Sequence, residues 1–213
     1  MHIAYFIMSQ SITTPHILMA GKAKVLSDAQ VKAALSYLRD HTRYPEKNQV
    51  LFLLSVKAGL RAKEIAGLRW TMVTDPEGNL ADGLTLPRHI VKGEKKSRFV
   101  PFNGQLKTAL AGLQAQRRTF DPNAYVITSE RGGAMSPATV ANWFYYLYRK
   151  LGFEGCSSHS GRRTFITKTA RVISRAGGSL RDVQELAGHS RIGTTQGYIE
   201  GSSEAQRKAV DLI

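Results

Sequence analysis

Two hydrophobic periodicities compete along this chain, and the place where one gives way to the other bounds the fold. From Ser27 onward apolar residues recur at helical spacing almost everywhere, and residues 84–102 break to a strand-like pattern. Ser27 is a good N-cap, and Val31, Ala34, Leu35 and Leu38 follow it on one stripe. The run Val50-Leu51-Phe52-Leu53-Leu54 is apolar on all sides, which predicts a buried helix stopped at Gly59. A short amphipathic helix comes next, with Ile65 and Leu68 inward. Leu84-Thr85-Leu86, His89-Ile90-Val91 and Phe99-Val100 read as strands, with Gly93-Glu94-Lys95-Lys96 a charged turn between the last two. Residues 104–118 return to helix, and Tyr125-Val126-Ile127 reads as a short strand. Ser136-Pro137 is an N-cap followed by proline at the first helical position, ahead of the stripe Val140, Phe144, Leu147, Tyr148 and Leu151. Further helices are expected from Ser160, from Ser179 (with Asp182 as a capping-box partner), from about Thr194, and over Ser203–Ile213. The expected class is α+β, mainly α-helical, with a small antiparallel sheet. Residues 1–24 lack periodicity and read as a flexible N-terminal tail, with Met1 and Met8 both open as starts, and residues 25–213 as one domain.

Charge narrows the partner. The chain carries 30 Lys plus Arg against 16 Asp plus Glu, a net charge of +14. An excess of that size points to a polyanion, most commonly nucleic acid. The single cysteine, Cys156, cannot form an internal disulfide and fits a reducing cytoplasm. No apolar run approaches the ~20 residues of a membrane span. No histidine pair has metal-ligand spacing, and no glycine loop ends in the Lys-Ser/Thr of a nucleotide cradle.

Several polar residues stand at element boundaries. Arg61 lies at a helix junction, and Lys92 flanks the expected hairpin turn. His159 and Arg162 open a helix on a shared face. His189 follows Gly188 at a helix end, and Tyr198 comes nine residues later. Each alone has a plain structural explanation: a surface cation, a solvated hairpin, a capping histidine, a packing tyrosine.

Together they form four boxes in a fixed order. Ala58-Gly59-Leu60-Arg61-Ala62-Lys63-Glu64-Ile65 is similar to the "G-L-R-x-x-E-[IL]" box of the tyrosine recombinase (phage integrase) family. Val91-Lys92-Gly93-Glu94-Lys95-Lys96-Ser97-Arg98 through Val100-Pro101 resembles its "K-G-x-K-x-R-x-V-P" hairpin. His159-Ser160-Gly161-Arg162-Arg163-Thr164-Phe165 resembles "H-x-L-R-H-T-F", with Gly161 in place of leucine and Arg163 in place of histidine. Leu186-Ala187-Gly188-His189-Ser190 through Thr194-Thr195 to Tyr198 resembles "L-G-H-x-x-x-x-T-T-x-x-Y". The resemblance spans residues 25–213, and no N-terminal core-binding domain of the family's kind is expected ahead of them.

The resemblance implies a catalytic domain that cuts and rejoins double-stranded DNA through a 3′-phosphotyrosyl link. Tyr198 would be the nucleophile. Arg61 and Arg162 would neutralise the phosphate, a task that suits a planar, permanently charged fork. His189 would add a hydrogen bond to the same phosphate, and His159 would aid proton transfer at the tyrosine. A phenol has a pKa of about 10 in water, so a cationic pocket helps form the phenolate. Lys92 would protonate the leaving 5′ oxygen. Lys95 and Lys96 sit in the turn, where side chains wander, so the strand-end lysine is the better general acid. Glu64 would orient the site, and Lys95, Lys96, Arg98 and Arg163 are DNA-contact candidates. No cofactor and no metal is required, because the covalent link conserves the bond energy. The implied partners are DNA, further copies of the chain as a dimer or tetramer, and an accessory DNA-bending protein, at the nucleoid in the cytoplasm. A type IB topoisomerase-like strand transferase, a non-catalytic DNA-binding remnant of a mobile element, and a basic structural protein are the alternatives.

Overall fold

A computed structural model describes residues 23–88, 90, 97–117, 119, 121–198, 206–207 and 210–211. The first 22 residues, Lys92, Lys95 and Lys96, and most of the expected C-terminal helix lie outside the described residues. Among the described residues the elements follow in the order α1 Asp28–Asp40, α2 Pro45–Ala58, α3 Ala62–Ala66, β1 Gly83–Leu86, β2 Arg98–Pro101, α4 Gly104–Ala115, α5 Pro137–Lys150, α6 Ser160–Val172, α7 Leu180–Ala187 and α8 Ile192–Gln196.

Local chemistry starts and stops these helices. Ser27 caps α1 through a capping box with Gln30, Ser136 caps α5, and Ser179 and Asp182 form the expected box at α7. Gly59 ends α2 and Gly188 ends α7, both left-handed at φ 65° and 60°. At Gly188 a Cβ would lie 2.8 Å from the Arg98 side chain, so a bare backbone is needed there for close approach as well as for conformation.

Helix α2 is the hub. It is buried on nearly every face and packs against α1, α4 and α6, while α3 lies on α5. Trp70, Phe52, Phe144 and Tyr148 fill the main core. Full burial of side chains of this size contributes roughly 1.5–3 kcal/mol each. Helix α6 comes unusually near α2: a Cβ on Gly161 would stand 2.3 Å from Ser55 Oγ. The glycine at this position therefore tightens the α2–α6 contact, where the leucine usual in the family motif would not fit. A satellite core of Ile166, Val183 and Ala187, with Tyr198 at its edge, holds α7 and the segment beyond it against α6.

Of the expected strand His89-Ile90-Val91 only Ile90 falls among the described residues, and Tyr125-Val126-Ile127 forms no strand there. Strand β1 pairs with β2 antiparallel, Leu84 opposite Val100, but Ile90 stands in a turn, its N–H donating to Pro87 O at 3.0 Å. Pro87 ends the ladder, and Ile90 (8 % exposed) packs into the core instead. Tyr125 makes only an isolated bridge with Arg69, and Val126 N–H donates to Leu68 O. This stretch is an irregular segment laid along the core, where continuous apolar character signals burial without specifying a strand.

Candidate active site

The site forms where the α2–α3 junction, β2, the start of α6 and the end of α7 meet. Arg61 is the N-cap of α3, and its backbone N–H and Nη1 both donate to Glu64, at 2.8 Å each. Glu64 Oε2, which takes the Arg61 backbone N–H, also accepts from Arg98 Nη2 at 3.0 Å, while Oε1 takes Arg61 Nη1. Burial by itself would raise the Glu64 pKa. The Arg98 charge, the Arg61 N–H, and the Arg61 and Arg162 charges outweigh burial and hold the carboxyl below its usual value. Glu64 is thus the counter-ion of an arginine cluster.

The cluster is anchored on the C-terminal end of α7. Ala187 O accepts from Arg98 Nη1 at 2.6 Å and from Arg162 Nη2 at 2.5 Å, and Gly188 O accepts from Arg61 Nη2 at 3.5 Å. The last carbonyls of a helix lack intrahelical partners and carry the negative end of its dipole, so cations stabilise them. Arg162 reaches the other way to Gly59 O at 2.6 Å. Burial first, and then the Arg61 charge, pull the Arg162 pKa down, while Glu64 opposes them. A guanidinium remains protonated at neutral pH even so. Arg61, with 29 % of its side chain exposed, is the member of the trio most open to an incoming anion.

His189 sits just past this helix end, buried at 7 % exposure. Gln184 Nε2 donates to its carbonyl at 2.8 Å, and Thr195 Oγ1 lies 2.9 Å from its Nδ1. Burial, then the charges of Arg162, Arg61 and Arg98, push its pKa down to about 4, so the ring is neutral at pH 7. Its face stacks on the Tyr198 ring at a centroid distance of 5.5 Å and 24°. Tyr198 is half-buried; its N–H donates to Thr195 O at 3.0 Å, its carbonyl accepts from Thr167 Oγ1 at 3.3 Å, and the Arg163 guanidinium lies 5.8 Å from its ring centroid. His159 is the N-cap of α6 and is exposed. Partial burial, then Arg162 and Arg61, lower its pKa as well.

The structure therefore brings Arg61, Glu64, Arg162, His189 and Tyr198 to one place, with His159 at the rim within range of the arginine charges. Arg98 departs from its reading as a DNA contact. It is buried at 5 % exposure and spends its guanidinium on Glu64 and Ala187 O. The signal was present: alternation along β2 puts Arg98 and Val100 inward and Phe99 and Pro101 outward. Sequence reasoning placed Thr195 in the fourth box without a role and passed over Gln184, both of which fix His189, as well as the backbone carbonyls that hold the arginines. Among the described residues no group of three His, Cys, Asp or Glu side chains could hold a metal ion, and no helix is long and apolar enough to cross a membrane.

A buried arginine cluster beside a neutral histidine and a tyrosine hydroxyl defines a site for an anion and an oxygen nucleophile. The phage integrase family model matches residues 24–204, and this chain belongs to that family, the tyrosine recombinases. It is 31 % identical over 171 residues to tyrosine recombinase XerC of Bacillus licheniformis, covering 76 % of this chain and 52 % of that protein. It is 33 % identical over 195 residues to tyrosine recombinase XerA of Thermococcus onnurineus, covering 87 % and 61 %. The chain thus spans about half to three-fifths of these curated relatives. Among solved structures, the Tn1549 transposon integrase in complex with a circular intermediate DNA superposes with a TM-score of 0.68 at 20 % identity, over 91 % of this chain and 66 % of that one. The XerA recombinase crystal structure gives 0.65 at 22 % identity, over 88 % and 64 %. The fold is that of the tyrosine recombinase catalytic domain.

Proposed function

We propose that this chain is the catalytic domain of a site-specific DNA recombinase or integrase that breaks and rejoins double-stranded DNA through Tyr198. The carrying observation is the convergence of Arg61, Arg162 and His189 beside the Tyr198 ring. The arginines bind the non-bridging oxygens of a phosphodiester and offset the charge that builds up on them in the transition state. His189 adds a neutral hydrogen bond. The Tyr198 oxygen attacks phosphorus, its proton passing to His159, and the bond to the 5′ oxygen breaks as Lys92 protonates that leaving group. A 3′-phosphotyrosyl link and a free 5′ hydroxyl result, and attack by a 5′ hydroxyl reverses the sequence. Neither ATP nor metal enters the balance. Lys95 and Lys96, beside the acid in the chain, and Arg163 near the tyrosine contact the DNA backbone. The reaction requires two or four protomers, since two duplexes are cut, and runs at the nucleoid in the cytoplasm with room for an accessory DNA-bending protein. The Xer relatives favour recombination over topoisomerase-like relaxation or a non-catalytic remnant.

A nicked suicide duplex tests the reading. Wild-type protein is expected to form a covalent protein–DNA adduct, and Tyr198→Phe to form none while still shifting DNA in a gel. Adduct in the Tyr198→Phe protein would assign the nucleophile elsewhere.

A further inference from the structure

We propose that Thr195 is a positioning residue that sets the tautomer of His189, donating its hydroxyl proton to Nδ1 so that Nε2 carries the hydrogen presented to the phosphate. This rests on the reading of the site given above and adds a role for a residue that does not itself touch DNA.

The polarity of the Nδ1–Oγ1 contact follows from hydrogen-bond accounting. The two atoms are 2.9 Å apart, and Thr195 is fully buried, which removes water as an alternative partner for its hydroxyl. A neutral imidazole has one N–H and one bare nitrogen. Were Nδ1–H the donor, the buried Thr195 hydroxyl hydrogen would need another acceptor. Among the described residues no second hydrogen bond of that hydroxyl is present. An unmade bond at a buried donor carries the full cost of desolvation. With Thr195 as donor, the hydroxyl hydrogen and the Nδ1 lone pair satisfy each other, and the hydrogen moves to Nε2.

The same polarity is the useful one. A bare Nε2 lone pair would face an anionic phosphate with repulsion, whereas Nε2–H donates to it. Thr195 also holds Tyr198: its carbonyl accepts the Tyr198 N–H at 3.0 Å. One residue of α8 thus ties the ring edge of the histidine to the backbone of the tyrosine. Gln184 pins the His189 carbonyl, and the Tyr198 ring covers its face. The imidazole is then held at Nδ1 and on one face, and its backbone at the carbonyl, with Nε2 the polar atom left to act, as outer partners of functional histidines commonly arrange.

Nitrogen-15 NMR of the histidine side chains tests this directly, with the His189 signals assigned by their loss in His189→Gln. The wild-type protein at pH 7 is expected to show His189 as the Nε2–H tautomer, with Nδ1 shifted as a hydrogen-bond acceptor. Thr195→Ser should keep that signature, and Thr195→Val, which has the same shape without the hydroxyl, should lose the acceptor shift. In the suicide-duplex assay Thr195→Val should slow adduct formation about tenfold, the lower end of the loss usual for removed outer partners. It should cost nothing further in a His189→Gln background, where a merely structural role would still add its loss. An Nδ1–H tautomer in the wild type, or an unchanged spectrum in Thr195→Val, overturns the proposal. The wild-type spectrum decides the polarity even if the valine variant fails to fold. An Nε2–H tautomer together with no adduct from wild-type protein would uphold the role of Thr195 at the histidine and count against the recombinase reading.

Discussion

Replacing Glu64 with glutamine tests whether the arginine cluster depends on one carboxylate. Glu64 is 1 % exposed, and its oxygens accept from Arg61 N and Nη1 at 2.8 Å and from Arg98 Nη2 at 3.0 Å. Glutamine keeps the shape and one acceptor oxygen, but its amide NH₂ then faces a guanidinium, donor against donor. Arg61, Arg98 and Arg162 are left together without a counter-charge. Removing one partner of a buried pair typically costs about 3–5 kcal/mol. Arg61 is partly open to water, and Arg98 retains Ala187 O, so the lower end applies, ~3 kcal/mol. With a urea slope of about 3 kcal/mol per molar, the unfolding midpoint falls by ~1 M. The pH dependence has a defined sign. The Glu64 carboxyl is held below its ordinary 4.5. A depressed carboxyl stabilises the fold above its unfolded pKa, and that stability is lost as pH falls through the folded value. The gap between wild type and Glu64→Gln should therefore be full at pH 7 and shrink below about pH 4.5, as the wild-type carboxyl itself becomes neutral. Urea titrations followed by circular dichroism at both pH values measure it. Equal midpoints at pH 7, or a gap that widens in acid, would refute the reasoning.

Two further outcomes are expected. Because the His189 pKa falls from 6.5 to about 4 on folding, the folded state resists its protonation, and its contribution is present above pH 6.5 and lost on descending to about 4. His189→Gln should flatten the decline of the urea midpoint over that window, and an unchanged slope would count against a buried neutral imidazole. A substrate with sulfur at the 5′ bridging position leaves as a thiolate, whose pKa of about 8.5 needs little help from an acid. It should restore cleavage by Lys92→Ala and not by Arg61→Ala; rescue of Lys95→Ala or Lys96→Ala instead would move the general acid to the turn.

Features that depend on neighbouring residues are legible in the chain alone. Ser27, Ser136 and Ser179 start helices because their side chains accept N–H groups a few positions on, and Gly59 and Gly188 stop them because they take left-handed backbone. The all-apolar run at Val50–Leu54 is buried because a helix without a polar face has nowhere else to go. The motif order likewise marks Arg61, Glu64, Arg162, His189 and Tyr198 as a set. Features that depend on distant partners emerge in the folded molecule. Ile90 leaves the strand pattern because Pro87 ends the ladder and the core takes the side chain. Arg98 turns inward because Glu64, 34 residues away, and Ala187 O, 89 residues away, receive its donors. A charged side chain defaults to solvent unless a counter-charge waits in the interior, and no local pattern reports that counter-charge. The role of Thr195 was illegible for the same reason: the motif marks the residue, but only the fold sets a histidine ring 2.9 Å from its hydroxyl.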